Sequence, residues 1–272
     1  MGKVAAIDST GGINYAKKGH EYDPFLAAFI SGIPNSVASD WDREKDTDNT
    51  LVIRGLGGGS QKAIKHCWAT GREFYAIDTG YLGNRKHKIY HRITRNALQN
   101  MGPIKERPHD RLERLEYEFK EFTPGSKILL CPPSDKVMNM FDQGTAAEWV
   151  ERTVEQIKEH TDRPIEIRMK PLRSERVTTK TMTAALQDDV HCLITFNSIA
   201  ATEALLEGKP AITLGPNSAQ MICDTSLDKI ENIKIPSKDE VIAYFAHLSY
   251  AQFTQEEMIN GYAWKILQED KE

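Results

Sequence analysis

The sequence predicts an α/β protein of two domains, each a parallel sheet with helices on its faces. Three observations lead there. Short apolar runs, such as Leu51–Arg54 and Ile128–Cys131, alternate with longer segments of helical period. Those runs end in glycine or polar turns that open into the next helix, the pattern of βαβ units. The 272 residues are long for one compact core and comfortable for two.

Taken in order, Lys3–Ile7 is a short β-type run that leads to a Gly11-Gly12 loop. Pro24–Ser31 is apolar enough for a buried helix and stops at Gly32. Ser39–Asn49 is crowded with charge and reads as an exposed loop. Leu51–Arg54 is a strand that runs into the glycine turn Gly55–Gly59, after which Ser60 can cap a helix to about Thr70. Glu73–Ile77 is the next strand and ends at Asp78-Thr79-Gly80. Met101–Arg114 has no clean period, and Phe122–Gly125 is a turn, so the domain boundary is expected near residue 120: residues 1–120, then 121–272.

The second half is more regular. Ile128–Cys131 is a strand halted by Pro132-Pro133. In Ala146–His160, Trp149, Val150, Val154 and Ile157 recur at helical spacing. Strands at Ile165–Met169, Cys192–Phe196 and Ala211–Leu214 alternate with helices at Lys180–Leu186 and Ile199–Leu206, a doubly wound order. A final amphipathic helix, about Gln255–Leu267, carries Phe253, Met258, Tyr262, Trp264 and Ile266 for packing back on the N-terminal domain.

Composition narrows the function classes. A hydrophobic share of 40% and a charged share of 27% are ordinary for a globular protein, and the formal charge of −4 gives no overall attraction to polyanions. No apolar run reaches the roughly eighteen residues of a membrane span, and the N-terminus lacks a signal-peptide core, so a cytoplasmic protein without a membrane partner is expected. Cys67, Cys131, Cys192 and Cys223 lie far apart, without metal-ligand spacing, and read as small buried residues.

Open parallel sheets bind ligands beyond the carboxyl ends of their strands. In the second half three loops at that edge carry polar groups: Ser134 after the first strand, Lys170 after the second, and Asn197-Ser198 after the third. Ser198 and the free N–H groups of the helix start can hold a phosphate oxygen, and Glu203, one turn on, can accept from ribose hydroxyls. The same two residues can equally be a helix cap and a solvated side chain.

The segment Thr195–Gly215, with its Ser-x4-Glu-Ala-x3-Gly-Lys-Pro pattern, resembles the donor half of glycosyltransferases with the two-domain GT-B fold, capsule polysaccharide and Kdo transferases above all. That family has His-Pro where this chain has Lys170-Pro171, and a lysine there can still neutralise a diphosphate. The resemblance covers roughly residues 126–220 and implies two Rossmann-like domains and a nucleotide-sugar co-substrate. On that reading Ser134, Lys170, Asn197, Ser198 and Glu203 hold the donor, and no further cofactor is needed. Nucleotide-sugar epimerases share a version of the motif and are the alternative within enzymes. Tyr75–Gly83, Tyr90–Asn96, Leu129–Ser134 and Gln252–Thr254 with Gly261–Trp264 are similar to a set of phage-encoded proteins, uncharacterised or assigned as glycosyltransferases. That second resemblance implies the cytoplasm of an infected host and an acceptor among hydroxymethylated pyrimidines of double-stranded DNA.

Thr79–Lys105 bears on the acceptor. It holds Arg85, Lys86, Lys88, Arg92, Arg95 and Lys105 with Tyr81 and Tyr90, and no acidic residue. Basic groups interleaved with aromatics can follow a phosphate backbone and stack on an extruded base; a solvated loop is the other reading. A non-catalytic nucleotide- or nucleic-acid-binding protein would use the same residues. For transfer, Asp78 ends a strand beside this segment and is the candidate general base, with Asp8, at the end of the first strand, as its competitor. No Asp-x-Asp pair ends a strand, so no essential metal is expected.

Overall fold

The computed structural model describes residues 3–7, 23–57, 59–84, 89–170 and 180–271. Along the chain come β1 (Val4–Ile7), α1 (Pro24–Ser31), β2 (Ser36–Ser39), α2 (Trp41–Glu44), β3 (Thr50–Arg54), α3 (Gly59–Thr70), β4 (Phe74–Thr79) and β5 (His91–Arg95). There follow α4 (Asp110–Glu113), β6 (Lys127–Cys131), α5 (Asp135–Met140), α6 (Ala146–Lys158), β7 (Ile165–Ile167), α7 (Met182–Leu186), β8 (Val190–Thr195), α8 (Ala200–Leu206) and β9 (Ala211–Thr213). The chain closes with α9 (Lys238–Ser249), β10 (Gln252–Phe253), α10 (Gln255–Ile259) and α11 (Tyr262–Glu269).

Two compact units result: Met1–Asn100 with Leu248–Glu272, and Met101–His247. Residues 101–120, placed with the first domain from sequence, therefore belong to the second unit. Within it Lys120 N–H bonds Leu206 O, Thr123 N–H bonds Gly208 O, and the Phe119 ring lies 5.3 Å from that of Phe245. The fold class is α/β, with two mostly parallel sheets flanked by helices.

The first unit holds a six-stranded sheet in the order β10-β5-β4-β3-β1-β2. β1 to β4 run parallel, β5 pairs antiparallel with β4, and β10 antiparallel with β5. Leu51, Val52 and Ile53 are fully buried, as a strand covered on both faces requires. The apolar faces of α1, α10 and α11 meet the sheet through Phe29, Met258 and Ile266, and Trp264 sits edge-on to Phe29 and Tyr75. A Cβ on Gly32, at the end of α1, would lie 2.1 Å from Met258 O, so only glycine lets the two backbones approach so closely.

Three elements depart from the sequence expectation. The charged stretch 39–49 is no plain loop: Asp40 caps α2, and Glu44 is buried beside Arg72. Burial pushes the Glu44 carboxyl up, but hydrogen bonds from Ser39, Asn49 and Thr47 and the Arg72 charge outweigh it and hold it below the ordinary value. Ser60 does not cap α3; its hydroxyl donates to Arg54 O at 3.3 Å. The final helix is two helices, α10 and α11, divided by Gly261 at φ 82°.

The second unit holds a four-stranded, wholly parallel sheet in the order β7-β6-β8-β9. Its core joins Ile128 and Leu130 of β6 and Cys192 and Ile194 of β8 to Trp149 and Ile157 of α6. A capping box at Thr145 and Glu148 starts α6. Parallel strands bring the loops after β6, β7, β8 and β9 to one edge. No helix among the described residues is long and apolar enough to cross a membrane.

Candidate functional site

That carboxyl edge of the second unit gathers most of the polar residues singled out from sequence. Ser134 follows β6, is exposed, and makes no side-chain cap bond to α5. Lys170, also exposed, follows β7. Asn197 and Ser198 follow β8 and are half-buried. The Ser198 hydroxyl accepts from Ala200 N–H at 3.2 Å, and its carbonyl accepts from the Asn217 amide at 2.9 Å. The loops after β8 and β9 are thus tied together. Beneath them Thr202 and Ser218 hydroxyls meet the Tyr244 hydroxyl at 3.0 and 3.2 Å. At Gly215 a Cβ would press on the Phe196 ring at 2.5 Å, so the β9 turn stays flat against the aromatic floor.

Glu203 is the electrostatic centre of this edge. It sits in α8 after Ser198, half-buried, and no donor among the described residues hydrogen-bonds its carboxylate. Burial pushes its pKa up to about 7; Arg168 opposes the rise, Glu207 adds to it, and Lys170 opposes it more weakly. Carboxylates with such values cluster at sites that bind or transfer. Arg168, which the sequence reading passed over, comes directly after β7 and donates to Lys180 O. Its signal was the alternation Ile165-Glu166-Ile167-Arg168, which puts both charges on the face opposite the two isoleucines. An edge with two cations, a serine hydroxyl and an acceptor-only carboxylate suits an anion joined to a polyhydroxyl group.

The first unit treats its candidates differently. Asp78, at the end of β4, is held by two guanidiniums: Arg92 Nη2 lies 3.1 Å from Oδ2, and Arg54 Nη1 lies 3.6 Å from Oδ1. Arg54 also reaches Asp23 at 3.7 Å and stacks over Phe25. Arg54 was missed from sequence; its mark is a charge ending an apolar run just before a glycine turn. Arg92, read as a contact for a polyanion, is buried in β5 and spends its donors on Thr79 O at 2.7 Å, Leu98 O at 3.3 Å and Asp78. Tyr81, read as a stacking platform, is also buried; its ring lies beneath Arg92 and its hydroxyl accepts from Asn100 N–H at 2.8 Å. Arg95 pairs with Glu73 at 2.7 Å. Arg92 and Tyr81 serve the internal structure of the first unit, because a β-strand occupies what looked like a basic loop, whereas Arg95 is exposed. Asp8, Arg85, Lys86 and Lys88 lie outside the described residues.

No family model matches the chain, and no curated protein matches it. Solved structures do. The chain superposes on the β-Kdo 2,4 transferase of Thermosulfurimonas dismutans KpsC with a TM-score of 0.50 and 15% identity, over 90% of this chain and 89% of that one. The β-Kdo 2,7 transferase of the same KpsC gives 0.50 at 12% identity, over 97% and 99%. At such identities what is shared is the α/β fold.

Proposed function

We propose that the chain is a glycosyltransferase that binds a nucleotide-sugar donor at the carboxyl edge of its second unit. The observation that carries this reading is Glu203, to which no described residue donates a hydrogen bond, set among Arg168, Lys170 and the Ser198 loop. Arg168 and Lys170 neutralise the diphosphate or phosphate of the donor, Ser134, Asn197 and Ser198 orient it, and Glu203 accepts from the ribose hydroxyls. As the glycosidic bond to phosphate breaks, negative charge grows on the leaving oxygen, and the two cations stabilise it there. The fold shared with the Kdo transferases supports the same assignment. Asp78 is the proposed base for the acceptor hydroxyl among the described residues, its carboxylate oriented by Arg54 and Arg92. The acceptor is a hydroxyl; hydroxymethylated DNA draws no support from the placement of Tyr81, Arg92 and Arg95 and stands as one acceptor to assay.

Calorimetry with CMP, UDP and their sugar conjugates tests the donor site. Wild type should bind one nucleotide class, and Ser198→Ala with Glu203→Ala should weaken that binding by about 100-fold, two lost hydrogen-bonding groups at one site. Unchanged affinity overturns the site. Mass spectrometry of acceptors, hydroxymethylated DNA among them, then reads transfer; turnover of the nucleotide sugar alone would mark an epimerase.

A further inference from the structure

β7 is an open edge. On its inner side the Ile128 N–H donates to Pro164 O and the Arg168 N–H donates to Leu130 O, both at 2.8 Å, so the even-numbered residues serve the ladder with β6. The peptide groups of Ile165 and Ile167 therefore face away from the sheet, and no strand pairs with them among the described residues. The same strand carries two of the largest exposed apolar side chains: Ile167 is 46% exposed and Met169 is 56% exposed. Beside it runs a groove lined by Val154, Ile165 and Ile167 together with the polar segment Thr161–Arg163 and Lys158. Edge strands are normally blunted by proline, lysine or a covering element; Ile165–Met169 contains neither residue, and no strand among the described residues covers it.

The geometry points to a second copy of this chain as the occupant, paired antiparallel along β7 about a two-fold axis at Ile167. The register decides between this and other strands. Centred on Ile167, antiparallel self-pairing sets Ile165 opposite Met169 of the second copy, and Glu166 opposite its Arg168. The outward peptide groups then meet as hydrogen-bonded pairs, apolar side chains face apolar ones, and the charges on the other face meet as opposite signs, twice by symmetry. Shifting the register by one residue would lose both matches. The two four-stranded sheets become one of eight strands, and the seam reaches Arg168, at the carboxyl edge of the proposed donor site.

Sedimentation and light scattering of the full chain over a concentration series should show a monomer–dimer equilibrium. Ile167→Pro removes one outward N–H while leaving the ladder with β6 intact, and should leave a folded monomer by circular dichroism. Glu166→Arg should weaken the dimer by about 10-fold through two like-charge contacts, and Glu166→Arg with Arg168→Glu should restore it. Ile167→Cys gives an independent reading, because hydrogen-bonded antiparallel partners stand about 5.5 Å apart at Cα, within disulfide reach. Oxidation should cross-link that variant into a dimer, whereas wild type, whose four cysteines are buried, should stay uncross-linked. A wild-type chain that stays monomeric overturns the proposal. So does a dimer that survives Ile167→Pro and fails to cross-link through position 167.

Discussion

Replacing Glu203 by glutamine isolates the electrostatic strain at the carboxyl edge of the second unit. In the folded protein this carboxyl titrates near 7, against an ordinary 4.5, chiefly because burial disfavours its charged form. The native state therefore holds a proton that the unfolded chain has released, so stability falls as pH rises from 4.5 through about 7. At about 1.4 kcal/mol per unit the whole shift is worth roughly 3 kcal/mol; partial exposure reduces this to about 2 kcal/mol. Glutamine keeps the shape and removes the titration. Glu203→Gln should therefore match wild type at about pH 4.5 and melt roughly 5 °C higher at about pH 8, with the gain appearing across the interval between. Scanning calorimetry of both proteins at several pH values reads the difference directly. A difference in melting temperature that is constant with pH, or a wild type more stable than the variant at high pH, would refute the argument.

Other perturbations probe the rest of the molecule. Arg92→Met removes three internal hydrogen bonds and half of the clamp on Asp78, and should cost about 3 kcal/mol in urea unfolding; the salt dependence of any DNA binding should not change. Asp78→Asn should abolish transfer while leaving nucleotide affinity by calorimetry as in wild type; an active variant moves the base elsewhere. Gly208→Ala places a methyl group 2.2 Å from Glu121 O at a φ of 68°, and should destabilise the second unit by about 2 kcal/mol or more, read by thermal denaturation.

The central strands were legible because continuous apolar runs such as Leu51-Val-Ile and Ile128-Leu-Leu have one physical use, burial on both faces of a parallel sheet. β5 was not. His91-Arg-Ile-Thr-Arg95 carries three potential charges in five residues, and its burial depends on partners far along the chain: Asp78 for Arg92 and Phe253 across the ladder for His91. Local composition holds no trace of those partners, so a strand passed for a basic loop. Glu44 escaped in part for the same reason: Ser39, Thr47 and Asn49 are near in sequence, but Arg72 is far along the chain. α9 was left unassigned because Val241, Tyr244, Phe245, Ala246 and Leu248 are all buried, which leaves no narrow apolar stripe to count. At the carboxyl edge of the second unit, Ser198 and Glu203 could be named from their spacing; that the Arg168 charge acts on Glu203 depends on β7 and β8 flanking the same strand.

The return of residues 248–272 to the first unit has a consequence for how the protein is made. The second unit is one continuous stretch, complete once residue 247 has left the ribosome. The first includes residues 1–100 yet lacks β10 and the apolar faces of α10 and α11 until residues 252–269 have been read. Phe253, Met258, Ile266 and Leu267 are among its buried residues, so during synthesis its sheet waits with an open edge and an uncovered face. The order of folding thus inverts the order of translation: the middle of the chain settles first, and the beginning is sealed by the end. A stop codon before Thr254 should leave the second unit folded and the first unit prone to aggregate, a division visible by limited proteolysis of the truncated product.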